Sequence, residues 1–152
     1  MNLAHHLVRA AQVDPALPAL FKGLTPVADY GALALRTASL AGSLRQRFAL
    51  APGSRVGLLM KNVPDYVACL YACWHAGLVA VPINAKLHPR EIAFILENSG
   101  AAVVFVTGDL ASAASEALAL LPASKPEMIE IGSAEHRRLE QADAIGVAGV
   151  GA

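Results

Sequence analysis

The sequence predicts an α/β fold, a mostly parallel sheet built from consecutive βαβ units with helices on both faces. Three observations predict it. Val56 to Met60 (VGLLM), Leu78 to Val81 (LVAV) and Val103 to Val106 (VVFV) are short apolar runs without polar alternation, the pattern of strands covered on both faces and set inside a sheet. Segments of helical length separate them, each opened by Pro or Asn and closed by Gly. Crossovers of that length return the chain to start the next strand parallel, and right-handed in nearly all known cases.

The elements follow in order. Asn2 is placed to cap a first helix through about Val13, with Leu3, Leu7 and Ala10 or Ala11 on one stripe and Asp14-Pro15 ending it. Ala19 to Leu24 and the residues around Val27 suit a short hairpin that turns through Lys22-Gly23 or Thr25-Pro26. Asp29 is the expected N-cap of a long amphipathic helix to about Phe48. Its stripe of Leu33, Thr37, Leu40, Leu44 and Phe48 faces the sheet, and Arg36, Ser39, Ser43, Gln46 and Arg47 take the other side. Pro52-Gly53 then turns the chain into the first parallel strand.

For the first crossover helix, Asn62 is the expected cap, Pro64 and Asp65 lie in the opening turn, and Gly77 supplies the left-handed stop. Tyr66, Val67, Leu70, Tyr71 and Trp74 surround this helix almost completely, so it is expected to be buried on every side. The second crossover helix starts at Pro89 and stops at Gly100, with Ile92, Ile95 and Leu96 inward and Arg90, Glu91 and Glu97 outward. Asp109 is the expected cap of a helix from Leu110 to Leu121, ended by Pro122. Met128 to Ile131 is a fourth, parallel strand, and Ser133 caps a last helix through Gln141. Residues 1–141 thus form an α/β subdomain, and 142–152 read as a flexible tail of small residues with nothing to anchor it.

Composition excludes several function classes. The 152 residues are 55% hydrophobic and 16% charged, and the mean hydropathy of +0.48 is high for an ordinary soluble domain. Such an excess implies a missing partner surface, either another subunit or the remainder of a longer polypeptide. No run approaches the ~18 to 20 apolar residues that cross a bilayer. His5, His6 and Arg9 interrupt the apolar stretch that a secretory signal needs, so a cytoplasmic location is expected. Twelve basic and twelve acidic residues cancel, and no basic cluster offers a nucleic acid its electrostatic footprint.

The search for chemistry is mostly negative. Cys69 and Cys73 share a helix face but lack the further ligands of a zinc site, so they read as small buried hydrophobes. His5 and His6 point about 100° apart on a helix and cannot jointly hold a metal in the i, i+4 manner. Trp74 and His75 read as core packing with a satisfied histidine. Neither GxxxxGK[ST] nor GxGxxG follows any strand, and no helix follows the glycine-rich run from Gly146 to Gly151. HExxH, GxSxG and a close carboxylate pair with a partner base are absent too. No catalytic, cofactor-binding or metal-binding residue is assigned. A ligand would sit beyond the carboxyl ends of the strands, at Lys61-Asn62, Asn84-Ala85 and Thr107-Gly108-Asp109, residues that equally suit caps and turns.

The order of motifs nevertheless resembles a known family. Asp29-Tyr30-Gly31-Ala32-Leu33, Pro52-Gly53-Ser54-Arg55-Val56-Gly57 and Asn62-Val63-Pro64-Asp65-Tyr66 come first. His75-Ala76-Gly77-Leu78-Val79-Ala80-Val81-Pro82-Ile83-Asn84, Leu87-His88-Pro89-Arg90-Glu91-Ile92 and Asn98-Ser99-Gly100-Ala101 follow. Together they resemble the N-terminal part of AMP-forming acyl-CoA synthetases, in the superfamily of adenylating enzymes. The resemblance runs from about Asn2 to Gln141. It departs from the family at Ala32, where Glu is frequent, and at Ser54, where Asp is frequent.

The resemblance implies part of the large N-terminal domain of a two-step ligase acting on fatty or aryl acids. It implies ATP, Mg2+ and coenzyme A for the full-length enzyme, with none tightly bound here. The partners it implies are the rest of the polypeptide and a small-molecule carboxylate; homo-oligomer formation stays open. The family's phosphate loop and catalytic lysine would follow Ala152, so the chain alone is expected to be inactive. A non-catalytic α/β association module is the alternative, and a flavodoxin-like nucleotide-binding domain would want acidic residues at strand ends beyond Asp109.

Overall fold

The computed structural model describes residues 1–122 and 124–149. Helix α1 (Ala4–Val13) leads into an antiparallel hairpin of β1 (Pro18–Lys22) and β2 (Thr25–Asp29), and α2 (Tyr30–Gln46) follows. Four strands, β3 (Arg55–Leu59), β4 (Val79–Pro82), β5 (Val103–Val106) and β6 (Glu127–Glu130), form one parallel sheet in the order β4-β3-β5-β6. Its crossovers are α3 (Pro64–His75), α4 (Pro89–Ser99) and α5 (Ala111–Ala119), and α6 (Ala134–Leu139) comes last.

The first crossover moves one way along the sheet, and the next two move the other way. Alternate travel of this kind puts α3 on one face and α4 and α5 on the opposite face. On the α3 side, Leu40 and Leu44 of α2 pack with Val56, Leu58, Phe105, Ile129 and Leu139. On the other, Ile92 and Leu96 of α4 and Ala114 and Ala117 of α5 pack with Leu59, Val104 and Val106. Burying each large apolar side chain stabilises the fold by roughly 1.5 to 3 kcal/mol, so these two cores hold the layers.

Most local expectations hold. The hairpin forms, but it pairs Lys22 with Thr25 and so turns at Gly23-Leu24, between the two expected positions. The Asp29 carboxylate accepts from the Ala32 N–H at 2.7 Å, and the Ser133 hydroxyl accepts from the His136 N–H at 3.1 Å. Gly77 (φ 73°) and Gly100 (φ 64°) are left-handed after α3 and α4. Every residue of α3 is buried or half-buried. The Asn2 side chain accepts from the Ala4 N–H at 2.9 Å at the start of α1.

Five expectations are corrected. Asn62 does not cap α3: Pro64 at the first helical position forces the residue before it to be extended, and that residue, Val63 (φ −116°, ψ 158°), is the N-cap. Asp109 does not cap α5, because it lies inside a 3-10 turn (Gly108–Leu110) and its carboxylate pairs with Lys61. Ser39 and Ser43 are buried rather than solvent-facing, since α6 and the segment after it cover that side of α2. The apolar run of β4 lies at the sheet edge, with Val79 46% exposed, because an unalternating pattern does not distinguish edge from centre. Residues 142–149, expected to be unanchored, are hydrogen-bonded to α2 and α3; residues 150–152 lie outside the described residues.

Candidate functional site

In a sheet with this strand order, the loops after β3 and β5 leave toward opposite faces, and the crevice between them is the favoured ligand position. Here that corner is bridged. The Lys61 N–H donates to Thr107 Oγ1 at 3.3 Å, and the Lys61 ammonium pairs with Asp109, whose carboxyl it holds below the usual range. A groove of about 670 Å³ opens beside the bridge, at the ends of β3 and β4. Buried Met60 and Ile83 line its floor with Pro82, the Tyr66 ring forms a side wall, and exposed Lys61, Asn62, Asn84 and Lys86 form the rim. Burial pushes the Tyr66 phenol up, so it stays protonated and available as a donor.

Among the described residues, no carboxylate lines the groove. Its chemistry is therefore that of a site for an anion with an apolar or flat body. Of the three expected strand-end groups, Lys61-Asn62 and Asn84-Ala85 meet in this groove, while Thr107 and Asp109 join Lys61 behind it. Sequence reasoning missed Tyr66 and Lys86 as lining residues. Lys86 was legible in principle, because the Asn84 side chain accepts from its N–H at 2.9 Å and so fixes the turn after β4.

A second polar cluster lies among α2, α3 and α6. Arg36 of α2 pairs with Asp65 at the start of α3 and, at 2.5 Å, with Glu140 after α6; His136 Nε2 is 3.1 Å from Glu140 Oε1. Burial alone would raise the Glu140 carboxyl, but His136 and Arg36 outweigh it and hold the carboxyl below its usual value. Burial likewise opposes the Arg36 charge, and the two carboxylates overcome it.

Asp65, His136 and Glu140 offer ligand atoms within 4.8 Å of one another. They do not suit a metal. The Gly132 N–H donates to His136 Nδ1 at 3.1 Å, so the neutral ring carries its proton on Nε2, whereas a metal-binding histidine donates from its other nitrogen. Arg36 already pairs with both carboxylates. The cluster is a structural tie among α2, α3 and α6.

The remaining candidates carry no chemistry. Cys69 and Cys73 are fully buried, and desolvation pushes the Cys69 thiol well up and the Cys73 thiol to about 12, so neither is a thiolate nucleophile. His75 is buried and bonded to the Ile145 carbonyl at 2.7 Å. Trp74 stacks edge to face on Tyr71, with ring centroids 5.1 Å apart. His5 and His6 are exposed on α1, and among the described residues no helix is long and apolar enough to cross a membrane.

Comparison with known proteins gives the context for the groove. The family model described as AMP-binding enzyme matches residues 7–146. A feruloyl-CoA synthase of an Amycolatopsis species is 40% identical over 100 residues, covering 66% of this chain and 20% of the relative. The long-chain-fatty-acid–CoA ligase FadD13 of Mycobacterium tuberculosis is 38% identical over 107 residues, again 20% of its own length. The chain thus spans about a fifth of the length of the curated relatives it matches. The solved N-terminal domain of FACL13 from M. tuberculosis superposes with a TM-score of 0.85 at 29% identity, over 98% of this chain and 38% of that one. A benzoate CoA ligase from Burkholderia xenovorans shares the fold, with a TM-score of 0.87 over 99% of this chain and 31% of that one. The chain belongs to the AMP-binding enzyme family, and its relatives are acyl-CoA ligases of the adenylate-forming superfamily.

Proposed function

We propose that this chain is the N-terminal α/β layer of an ATP-dependent, AMP-forming carboxylate–CoA ligase acting on a fatty or aryl acid. In that reaction the acid's carboxylate oxygen attacks the α-phosphorus of ATP and expels pyrophosphate. The thiol of coenzyme A then attacks the acyl carbon of the adenylate, AMP leaves, and the thiol proton passes to solvent.

The observation that carries this reading is the fit of the chain to a solved ligase N-terminal domain over 98% of its length, with a cation-rimmed groove at the strand ends. Within that reading the groove meets the phosphate-bearing part of a co-substrate. Lys86 supplies charge, Asn62 and Asn84 supply hydrogen bonds, and Met60, Ile83 and the Tyr66 ring supply the apolar floor and wall, with Lys61 held by Asp109 at the rim. The groove has no carboxylate and does not fit Mg2+, so no step through the ion is assigned to this chain. We assign it no nucleophile or general base, and place bond-making in other parts of the polypeptide.

The test is acid-dependent ATP–pyrophosphate exchange, run in parallel on the 152-residue chain and on the complete open reading frame with a panel of fatty and aryl acids. Exchange by the complete product and background from the chain alone are expected. Exchange by the chain alone would overturn its inactivity, and no exchange by the complete product with any acid would overturn the ligase reading. In an active product, Lys86→Ala is expected to raise the KM for a phosphate-bearing co-substrate by roughly tenfold, the loss of about one charged hydrogen bond, with little change in kcat.

A further inference from the structure

Residues 142–149 adopt neither helix nor strand, yet they are seated against three other parts of the molecule. The Ile145 N–H donates to the Ala38 carbonyl of α2 at 3.3 Å, and the Ile145 carbonyl accepts from His75 Nε2 at 2.7 Å. Three residues on, the Ala148 N–H donates to the His75 carbonyl at 2.8 Å, and the Ala148 carbonyl accepts from Asn2 Nδ2 at 3.1 Å. Both peptide groups of both residues are therefore satisfied, each by one acceptor and one donor from the body of the protein. The Ile145 side chain packs on the core of the α2 and α3 face.

Backbone contact continues where side chains would intrude. A Cβ added to Gly42 would lie 2.2 Å from the Asp143 carbonyl oxygen, and a Cβ on Gly77 would lie 3.0 Å from the Ala148 Cβ. Gly42 is in the middle of α2, where helix propensity favours almost any other residue, and its missing Cβ lets the segment cross. Asn2 adds a second tie by donating to the Trp74 carbonyl at 2.6 Å as well as to Ala148.

We propose that α2, α3 and Asn2 form a slot that reads the backbone of an extended peptide, and that residues 142–149 are its occupant, a strap that closes on the slot and opens as a unit ahead of the sheet. Four hydrogen bonds and one apolar side chain hold it, whereas the amides of β5 lie between two paired strands. A segment held so lightly belongs to the low end of the local opening scale. Opening would uncover His75, which is 4% exposed in the closed state.

Amide hydrogen exchange on the full chain, resolved by NMR, tests this. In the native protein Ile145 and Ala148 are expected to exchange at least roughly tenfold more slowly than an unstructured peptide and well ahead of Phe105 in β5. Gly42→Ala should abolish protection at Ile145 and Ala148 while leaving the α2 amides protected. His75→Ala should speed both by roughly tenfold, and His75→Gln, which retains a donor, should restore part of the protection. If a His75 variant fails to fold, Asn2→Ala and Gly42→Ala decide the matter. Unprotected Ile145 and Ala148 in the native chain, exchange in step with Phe105, or no response to Gly42→Ala would each overturn the strap.

Discussion

Both faces of the sheet bury apolar cores, but they are finished by different means. Under α4 and α5 the cover is one helix thick, and outward residues such as Arg90, Glu91 and Glu97 meet solvent directly. On the opposite face α2 packs on the sheet beside α3, and α1, α6 and the strap close over these two helices. The buried polar side chains follow this division. Thr37, Ser39, Ser43, His75 and His136 belong to α2, α3 and α6, and Thr107, at the end of β5, is the one other such residue described. The added cover of α1, α6 and the strap buries polar groups that a bare helix leaves wet, and each then needs a partner, as with Ser43 Oγ on the Leu139 carbonyl at 2.8 Å. Apolar burial sets how much each face contributes, and on the thicker face the polar ties decide which arrangement of helices is allowed.

The strongest challenge to that comparison is a pair of cavities. Phe105→Ala, on the α3 side, is expected to cost about 3 to 5 kcal/mol, and Leu96→Ala, on the α4 side, about 2 to 5 kcal/mol, in chemical denaturation. Both side chains are at most 2% exposed. A cost well below 1 kcal/mol for either would show that its face is not tightly packed.

Next comes a pair of arginines. Arg36→Met leaves Asp65 and Glu140 half-buried without their cation and is expected to cost about 1 to 3 kcal/mol, whereas Arg90→Met on the single-layer face should stay within about 0.5 kcal/mol. The same change has a pH signature. The folded-state carboxyl of Glu140 lies below its usual 4.5, so its stabilisation is present above that pH and is lost as pH falls through the lowered value. Arg36→Met should shift the acid limb of the stability–pH curve upward. An unmoved acid limb would show that Arg36 does not hold the carboxylate.

The smallest effect separates the two helix stops. Gly100→Ala meets nothing within 4 Å and should cost only the left-handed strain of about 1 kcal/mol, while Gly77→Ala adds the contact with Ala148 and should cost more. Equal costs, with the Ala148 amide unchanged in exchange, would remove the strap from the account of α3.

Much of the fold was legible because its signals are local. Pro89 and Gly100 bracket α4 within its own residues, and Gly77 stops α3 by its own backbone. Even local capping failed where a neighbour intervened, as Pro64 moved the cap from Asn62 to Val63. The candidate groove was half legible. The strand-end rule located Lys61, Asn62 and Asn84, but the meeting of Lys86 and Tyr66 with them depends on how the first crossover brings β4 beside β3. Arg36 and Ser43 could not be read, because their partners Glu140 and Leu139 lie 104 and 96 residues away.

The sequence by itself determined which segments are strands and helices, that the strands run parallel, and the family to which the motif order points. Those properties follow from periodicity, chain stiffness and spacing along a single stretch. Only the tertiary structure decided that β4 is an edge, that α1 and α6 close over the α2 and α3 face, and that residues 142–149 have a seat. The side to which a crossover turns, and the groups that cover a helix, depend on the free energy of layers assembled from distant segments.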